Sequence, residues 1–147
     1  MTADKFLEQY GDTVAKIKRK QRLKESLEAQ MLNVTSHLTP DKVQSSGSMQ
    51  KVAEAVEEAL DLAEEIKELL ILKNKIRKDI ESVINRILTL RGDALYEKYL
   101  VLTSEEDIAK VIDRTVDTVH RLIREGKEEV QQILDTEYCE ITENNAK

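Results

Sequence analysis

Apolar residues recur in alternating steps of three and four along the middle of the chain, and Lys73 is the only polar member of the series. The twelve positions are Val52, Ala55, Ala59, Leu62, Ile66, Leu69, Lys73, Ile76, Ile80, Val83, Ile87 and Leu90. This heptad seam predicts one helix of about 40 residues that packs in the manner of a coiled coil. We expect the seam, with Val52, Ala59, Leu62, Ile66, Leu69, Ile76, Ile80, Val83 and Ile87 as its main residues, to form the core and a dimer interface.

A second apolar stripe runs beside the seam. It consists of Val56, Ala63, Leu70 and Ile84, and Arg77 interrupts it. An apolar face of this width exceeds what a two-stranded coiled coil covers and is typical of a helical bundle. We therefore predict that a second copy of the chain packs on it and that the protein is a homodimer.

A weaker seam precedes the long one and predicts a first helix. Its positions are Phe6, Tyr10, Thr13, Ile17, Lys20, Lys24, Leu27, Met31, Val34 and Leu38. Pro40 disfavours helix in the residue before it, and Ser48 suits the N-cap of the long helix. Two long helices with a short connector predict an antiparallel coiled-coil hairpin at residues 1–91, which we expect to act as the dimerisation domain.

The long helix is expected to end near Arg91, with Gly92 in the left-handed conformation at its C-terminus. Three shorter amphipathic segments follow, at residues 94–101, 104–111 and 115–134, and Ser104 and Thr115 are suitable N-caps. The all-α fold class thus comprises the hairpin and a small three-helix module at residues 92–134. The acidic stretch at residues 135–147 is predicted to be a flexible tail.

The module has the spacing of a helix-turn-helix. Ile108, Ala109, Val119, Leu122 and Ile123 can pack between two helices that cross through a turn at residues 112–114, where Asp113 tolerates left-handed geometry. The outward positions are then candidates for DNA contact: Thr115, Asp117, Thr118, His120, Arg121, Arg124 and Lys127. Arginines on such a helix can bind guanine edges or phosphate. The alternative is a plain helical hairpin with ordinary surface charge. Residues 104–130 contain eight acidic and five basic residues, and this balance favours the alternative.

A basic run near the N-terminus is the second candidate. Between Thr13 and Lys24 the chain has six basic residues and no acid: Lys16, Lys18, Arg19, Lys20, Arg22 and Lys24. They could contact phosphate, or they could form a solvated helix face. The net charge of −6 argues against wholesale coating of nucleic acid but leaves a local basic surface possible.

The sequence gives little support for a catalytic or metal-binding site. His37 and His120 stand alone, without a second His or a Cys at ligand spacing, and neighbouring acids such as Glu105 and Glu106 point in different directions on a helix. We therefore expect no enzyme activity, no cofactor and no metal. No stretch of 18 apolar residues occurs, so we expect no membrane association, and the single Cys139 suits a reducing cytoplasm.

The connector residues and the module together resemble a known family. The residues that carry the resemblance are Val43, Gln44, Ser45, Ser46, Gly47 and Ser48 in the connector, Ile108 and Ala109 before the turn, and Thr118, Val119, His120, Arg121 and Leu122 after it. They are similar to an uncharacterised family of phage proteins from Gram-positive bacteria, in which a helical hairpin precedes a helix-turn-helix similar to region 4 of sigma factors. In layout the chain resembles phage late-transcription regulators of the RinA and ArpU type.

The resemblance implies a phage-encoded, DNA-binding transcription regulator of the late-gene activator type. Its partners would be double-stranded DNA and a second copy of itself, with RNA polymerase as a further candidate, in the cytoplasm of a bacterial host. The alternative is a coiled-coil adaptor that binds a protein such as RNA polymerase and does not touch DNA.

Overall fold

The protein is all-α. The computed structural model describes residues 1–36 and 46–146, and within this part of the chain there are five α-helices, one π-helical turn and no strand. The elements are α1 (Ala3–Ser36), α2 (Ser46–Ile84), α3 (Leu90–Tyr96), the π turn (Glu97–Val101), α4 (Glu105–Val111) and α5 (Val116–Asn145). The predicted fold class is confirmed at this level, with two long helices at the start. The connector at residues 37–45 lies outside the described residues.

Helix α2 has different ends from those predicted. It begins at Ser46, so Ser48 lies inside the helix and is not its N-cap. It ends at Ile84, where the amide of Ile87 donates to the Ile84 carbonyl at 2.9 Å and tightens the final turn. The prediction for Gly92 is wrong, because this residue lies inside α3 and no glycine among the described residues has a positive φ. A Cβ at position 92 would collide with the carbonyl oxygen of Ile87, so the glycine permits a close backbone approach.

The chain divides into two compact units at places other than the predicted boundary after residue 91. The long-helix unit comprises Thr13–Leu72. Its core residues lie on both long helices: Thr13, Ile17, Leu27, Ala59, Leu62 and Ile66 are buried. The side chains of Lys20 on α1 and Glu65 on α2 form an ion pair.

The C-terminal unit comprises Met1–Asp12 and Lys73–Lys147. Its side chains form one hydrophobic core that includes Leu7, Ile80, Val83, Ile84, Ile87, Ala94, Leu95, Tyr99, Leu100, Ile108, Ala109, Val119, Leu122, Ile123 and Val130. Gly126 lets α5 approach Leu95 of α3, since a Cβ there would lie 2.8 Å from Leu95 Cδ1. Arg91 of α3 binds the carboxylates of Glu125 and Glu129 on α5, which joins the same two helices through charged groups.

The heptad seam contributes to these two cores. Ala59, Leu62, Ile66, Ile80, Val83 and Ile87 are buried, and Val52, Leu69 and Ile76 are half-buried. The chain itself therefore covers most of the seam, which was predicted to form a dimer interface as well as the core. Of the second stripe, Val56 and Leu70 are exposed, Ala63 is half-buried and Ile84 is buried. Leu60, which lies one turn from Val56, is also exposed.

Helix α5 extends beyond the predicted end of its segment at Leu134. It continues through the acidic stretch to Asn145, and the side chains at residues 138–146 are exposed. The segment predicted to be a flexible tail is thus helical over most of its length. No helix in the described part of the chain combines the length and the apolar character needed to cross a membrane.

Candidate nucleic-acid interface

Helix α4 begins at the predicted cap. Ser104 has extended backbone geometry, and its hydroxyl oxygen accepts a hydrogen bond from the amide of Asp107 at 3.3 Å. The hydroxyl also lies 3.0 Å from the Asp107 carboxylate. Three acids in the first turn suit the positive end of the helix dipole. The helix buries Ile108 and Ala109 against the C-terminal core.

The turn after α4 has the hydrogen bonds of a Schellman motif. Asp113 has a φ of 53°, as predicted for a left-handed position. The amide of Arg114 donates to the Ala109 carbonyl at 2.9 Å, and the amide of Asp113 donates to the Lys110 carbonyl at 3.4 Å. These bonds satisfy the free carbonyls at the end of α4 and set the direction in which the chain leaves it.

Helix α5 begins one residue after the second predicted cap. The hydroxyl of Thr115 accepts from the amide of Thr118 at 3.3 Å, and the two threonine hydroxyls lie 2.9 Å apart. Val119 and Ile123 are buried one turn apart, so the rotation of the helix is determined by the core. Leu122 and Gly126 are buried on the same side, so the side chains on the opposite side of its first three turns face outward.

Among the outward residues, Arg121 and Arg124 are exposed and form no ion pair within the described residues. Thr115 and Asp117 are also exposed, whereas Thr118 is half-buried and bonded to Thr115. A guanidinium without an internal partner keeps its five donors available to a ligand. Among the outward cations of α5, this pair is therefore the most available to an external hydrogen-bond acceptor.

His120 and Lys127 are held by acids of the same unit. Nδ1 of His120 lies 2.9 Å from a carboxylate oxygen of Glu105, and Nζ of Lys127 lies 2.8 Å from Asp4. The hydrogen bond that Lys127 donates to the Asp4 carboxylate raises the pKa of Lys127 even though burial opposes it, and the ammonium lies 5.9 Å from the ring centre of Tyr99. Lys127 thus contributes to the packing of α5, and its ammonium is less available to an external ligand than the sequence alone suggested.

Glu105 joins α4 and α5 to the π turn and was not identified from the sequence as a functional residue. Its carboxylate accepts a hydrogen bond from Lys98 at 2.8 Å, which lowers its pKa, and the charges of His120 and Lys127 act in the same direction. Arg114 was likewise left out of the candidate set. It is exposed just before the cap of α5, and its side chain donates to the Asp113 carbonyl at 2.9 Å. A cation directly before a helix N-terminus is the signal that could have identified it, because such ends favour anions.

The basic run lies on α1, in the long-helix unit. Lys20 pairs with Glu65, and Lys24 lies 3.6 Å from Glu28 one turn ahead. The other four residues, Lys16, Lys18, Arg19 and Arg22, are exposed and have no acidic partner within the described residues. Four uncompensated cations within two helical turns form a surface suited to phosphate.

Other chemical features and the comparisons add no further site. Within residues 1–36 and 46–146 no three His, Cys, Asp or Glu side chains are grouped so that they could hold a metal ion, and Cys139 is exposed. Comparisons with protein-family models, with curated proteins and with solved structures yield no match.

Proposed function

We propose that this protein is a DNA-binding transcription regulator that contacts the major groove with the first half of α5. The observation that carries the proposal is the pair Arg121 and Arg124, exposed, without an ion-pair partner and held on a helix whose start and rotation are determined. Arginine side chains in this position can make bidentate contacts with guanine or with phosphate.

The proposal treats α4, the turn and α5 as a helix-turn-helix. Its support is local: both N-caps are formed by side chains, the turn has Schellman hydrogen bonds, and Ile108, Val119 and Ile123 pack in one core. A rigid pair of helices holds recognition side chains in a defined register on DNA. Arg114, before the cap of α5, adds a cation where the backbone amides of the helix start can bind phosphate.

Two further parts of the proposal concern the long helices. The ion pair of Lys20 with Glu65 and the shared core of α1 and α2 support an antiparallel hairpin. The exposed apolar residues Val56 and Leu70 of the second stripe, with Leu60 beside them, support a homodimer, since two recognition helices on one symmetric dimer suit two DNA half-sites.

Alanine substitution at Arg121 and Arg124 tests DNA binding. The probe is a pool of random-sequence duplexes enriched by several rounds of binding to the wild-type protein. We expect each substitution to weaken binding to the enriched duplexes by about tenfold, because one bidentate contact is lost. Arg77→Ala is the matched control, as Arg77 is an exposed arginine of α2 with no acidic partner in the described residues. No enrichment of any duplex by the wild-type protein would overturn the proposal.

The same assay separates base contacts from phosphate contacts. Replacing Lys16, Lys18, Arg19 and Arg22 with Gln should reduce binding to all duplexes alike and flatten its salt dependence. An unchanged salt dependence would show that the basic run is a solvated helix face.

The second candidate function is an adaptor that binds a protein and not DNA. The observation that favours it is the excess of acids at residues 104–130, which reduces the attraction to phosphate. In this case the arginine variants would lose activity in a transcription assay while duplex binding stayed as in the wild type.

A further inference from the structure

Two adjacent cavities lie along the outer side of α3 in the C-terminal unit. Their volumes are about 510 and 380 Å³, and Leu90, Asp93 and Tyr96 line both. Leu88 extends the lining at one end and Val111 at the other. We call this surface the α3 groove.

The apolar side chains of the α3 groove are unusually accessible. Leu88 is 92 % exposed, Val111 is 62 % exposed and Leu90 is 37 % exposed. Single exposed leucines are ordinary, but here three apolar side chains lie along one concave surface. Covering them would release water from apolar surface and so favour a bound partner.

The groove also carries two carboxylates without a cationic partner. Asp93 and Glu97 are one turn apart on α3 and the π turn, and neither forms an ion pair within the described residues. Glu97 only accepts a hydrogen bond from the hydroxyl of Thr103 at 3.2 Å. The neighbouring Lys98 is bound to Glu105 and is not available to neutralise them. Two uncompensated acids one turn apart suit two cations at the same spacing on a helix.

We infer that the α3 groove binds a basic amphipathic helix of a partner protein. Apolar side chains at positions i, i+3 or i+4 and i+7 of that helix would contact Leu88, Leu90 and Val111, as in other helix-in-groove complexes. Lysine or arginine side chains at its edge would face Asp93 and Glu97. A nucleic acid does not fit, since the carboxylates repel phosphate. This inference goes beyond the proposed DNA contact of α5 and does not depend on it.

The test uses the full chain and a fluorescent peptide of Leu and Lys arranged as an amphipathic helix, with anisotropy as the readout. We expect the double variant Leu88→Ser/Asp93→Asn to weaken peptide binding by about tenfold, because one leucine contact and one charge contact are lost. The double variant Ile141→Ser/Glu140→Gln makes the same chemical changes on the exposed acidic end of α5 and should bind the peptide as the wild type does. Circular dichroism should be the same for all three proteins, since each substituted residue is exposed.

Three results would overturn the inference. The first is that the wild type does not bind the Leu/Lys peptide. The second is that the groove variant and the control variant lose the same peptide affinity. The third is that the wild type binds a Leu/Glu peptide of the same arrangement as tightly as the Leu/Lys peptide. Duplex binding by the groove variant is measured in parallel and should be unchanged. A loss confined to duplex binding would concern the proposed function of α5, whereas a failure of peptide binding concerns only the α3 groove.

Discussion

One heptad seam runs through both compact units, but its surroundings in the two units differ. In the C-terminal unit, Ile80 and Val83 belong to a core to which five other segments contribute, and little of the apolar surface of α2 stays open. In the long-helix unit, Ile66 is buried, while Val56 is 40 % and Leu60 is 65 % exposed. Apolar periodicity therefore predicts which face of a helix is buried, but it does not predict how much of that face the chain itself covers.

The number of packing partners accounts for the difference. Within the long-helix unit each long helix has one neighbour, which covers a narrow seam and leaves a second stripe open. In the C-terminal unit α5, α4 and α3 are held around the end of α2 by buried side chains and by ion pairs such as Arg91 with Glu125. The first unit thus leaves apolar surface of α2 open, whereas the second holds its side chains in a closed core.

The largest expected effect is that of a charge placed in the closed core. Ile80→Asp should lower the free energy of unfolding by about 4 kcal/mol or more, because a fully buried side chain is lost and a carboxylate is left without water. Urea unfolding followed by circular dichroism measures it. Val56→Asp, the same change on the open stripe of α2, should leave the monomer's helix content intact. If Ile80→Asp and Val56→Asp lowered the free energy of unfolding equally, the contrast between the two units would be wrong.

The next effect concerns assembly through the open stripe. We expect the wild type to sediment as a dimer and Val56→Asp/Leu60→Asp as a monomer, since each dimer would bring these new charges into an apolar interface. Ile141→Asp is the control, because Ile141 is similarly exposed but lies on α5. A wild-type protein that sediments as a folded monomer at micromolar concentration would rule out the proposed dimer.

Glycine substitutions test how closely the C-terminal unit is packed. Gly126→Ala should destabilise by about 1 kcal/mol, because crowding against Leu95 outweighs the gain in helix propensity. Gly11→Ala should stabilise by up to about 1 kcal/mol, since its Cβ would make only a 3.4 Å contact with Leu102. The melting temperature should therefore fall in Gly126→Ala and rise in Gly11→Ala. A higher melting temperature for Gly126→Ala would mean that the Leu95 side chain can move aside.

The sequence predicted the local features that depend on single residues. The caps at Ser104 and Thr115 and the left-handed Asp113 were correct, since each follows from the hydrogen-bonding groups or backbone tolerance of one residue type. The end of α2 was not predictable. The apolar spacing continues through Ile87 although the helix has already ended at Ile84, and no proline or glycine marks the break.

Features that depend on packing were also missed. The role of Gly92 requires knowing that the Ile87 carbonyl lies against it, and the π turn lies within a segment whose spacing predicts an ordinary helix. In the candidate site the sequence predicted seven outward residues and assigned base or phosphate contact chiefly to the arginines Arg121 and Arg124. Their distinction from Lys127 comes from Asp4, which lies at the other end of the chain.

The smallest expected effect compares one ion pair in each unit. The hydrogen bond from Lys98 holds the pKa of Glu105 below its ordinary value of 4.5, so its charge stabilises the fold above about pH 4.5 and this contribution is lost as the pH falls through the lowered pKa. Glu105→Gln should therefore reduce the loss of stability between about pH 5 and pH 3, by less than about 1 kcal/mol because the side chain is partly exposed. Glu65→Gln removes the pair with Lys20 in the long-helix unit, where solvent screens the half-exposed carboxylate, and at pH 7 it should lower the free energy of unfolding less than Glu105→Gln does. If the two variants lost the same stability at pH 7, the ion pairs would not distinguish the two units, and the contrast would rest on apolar packing alone.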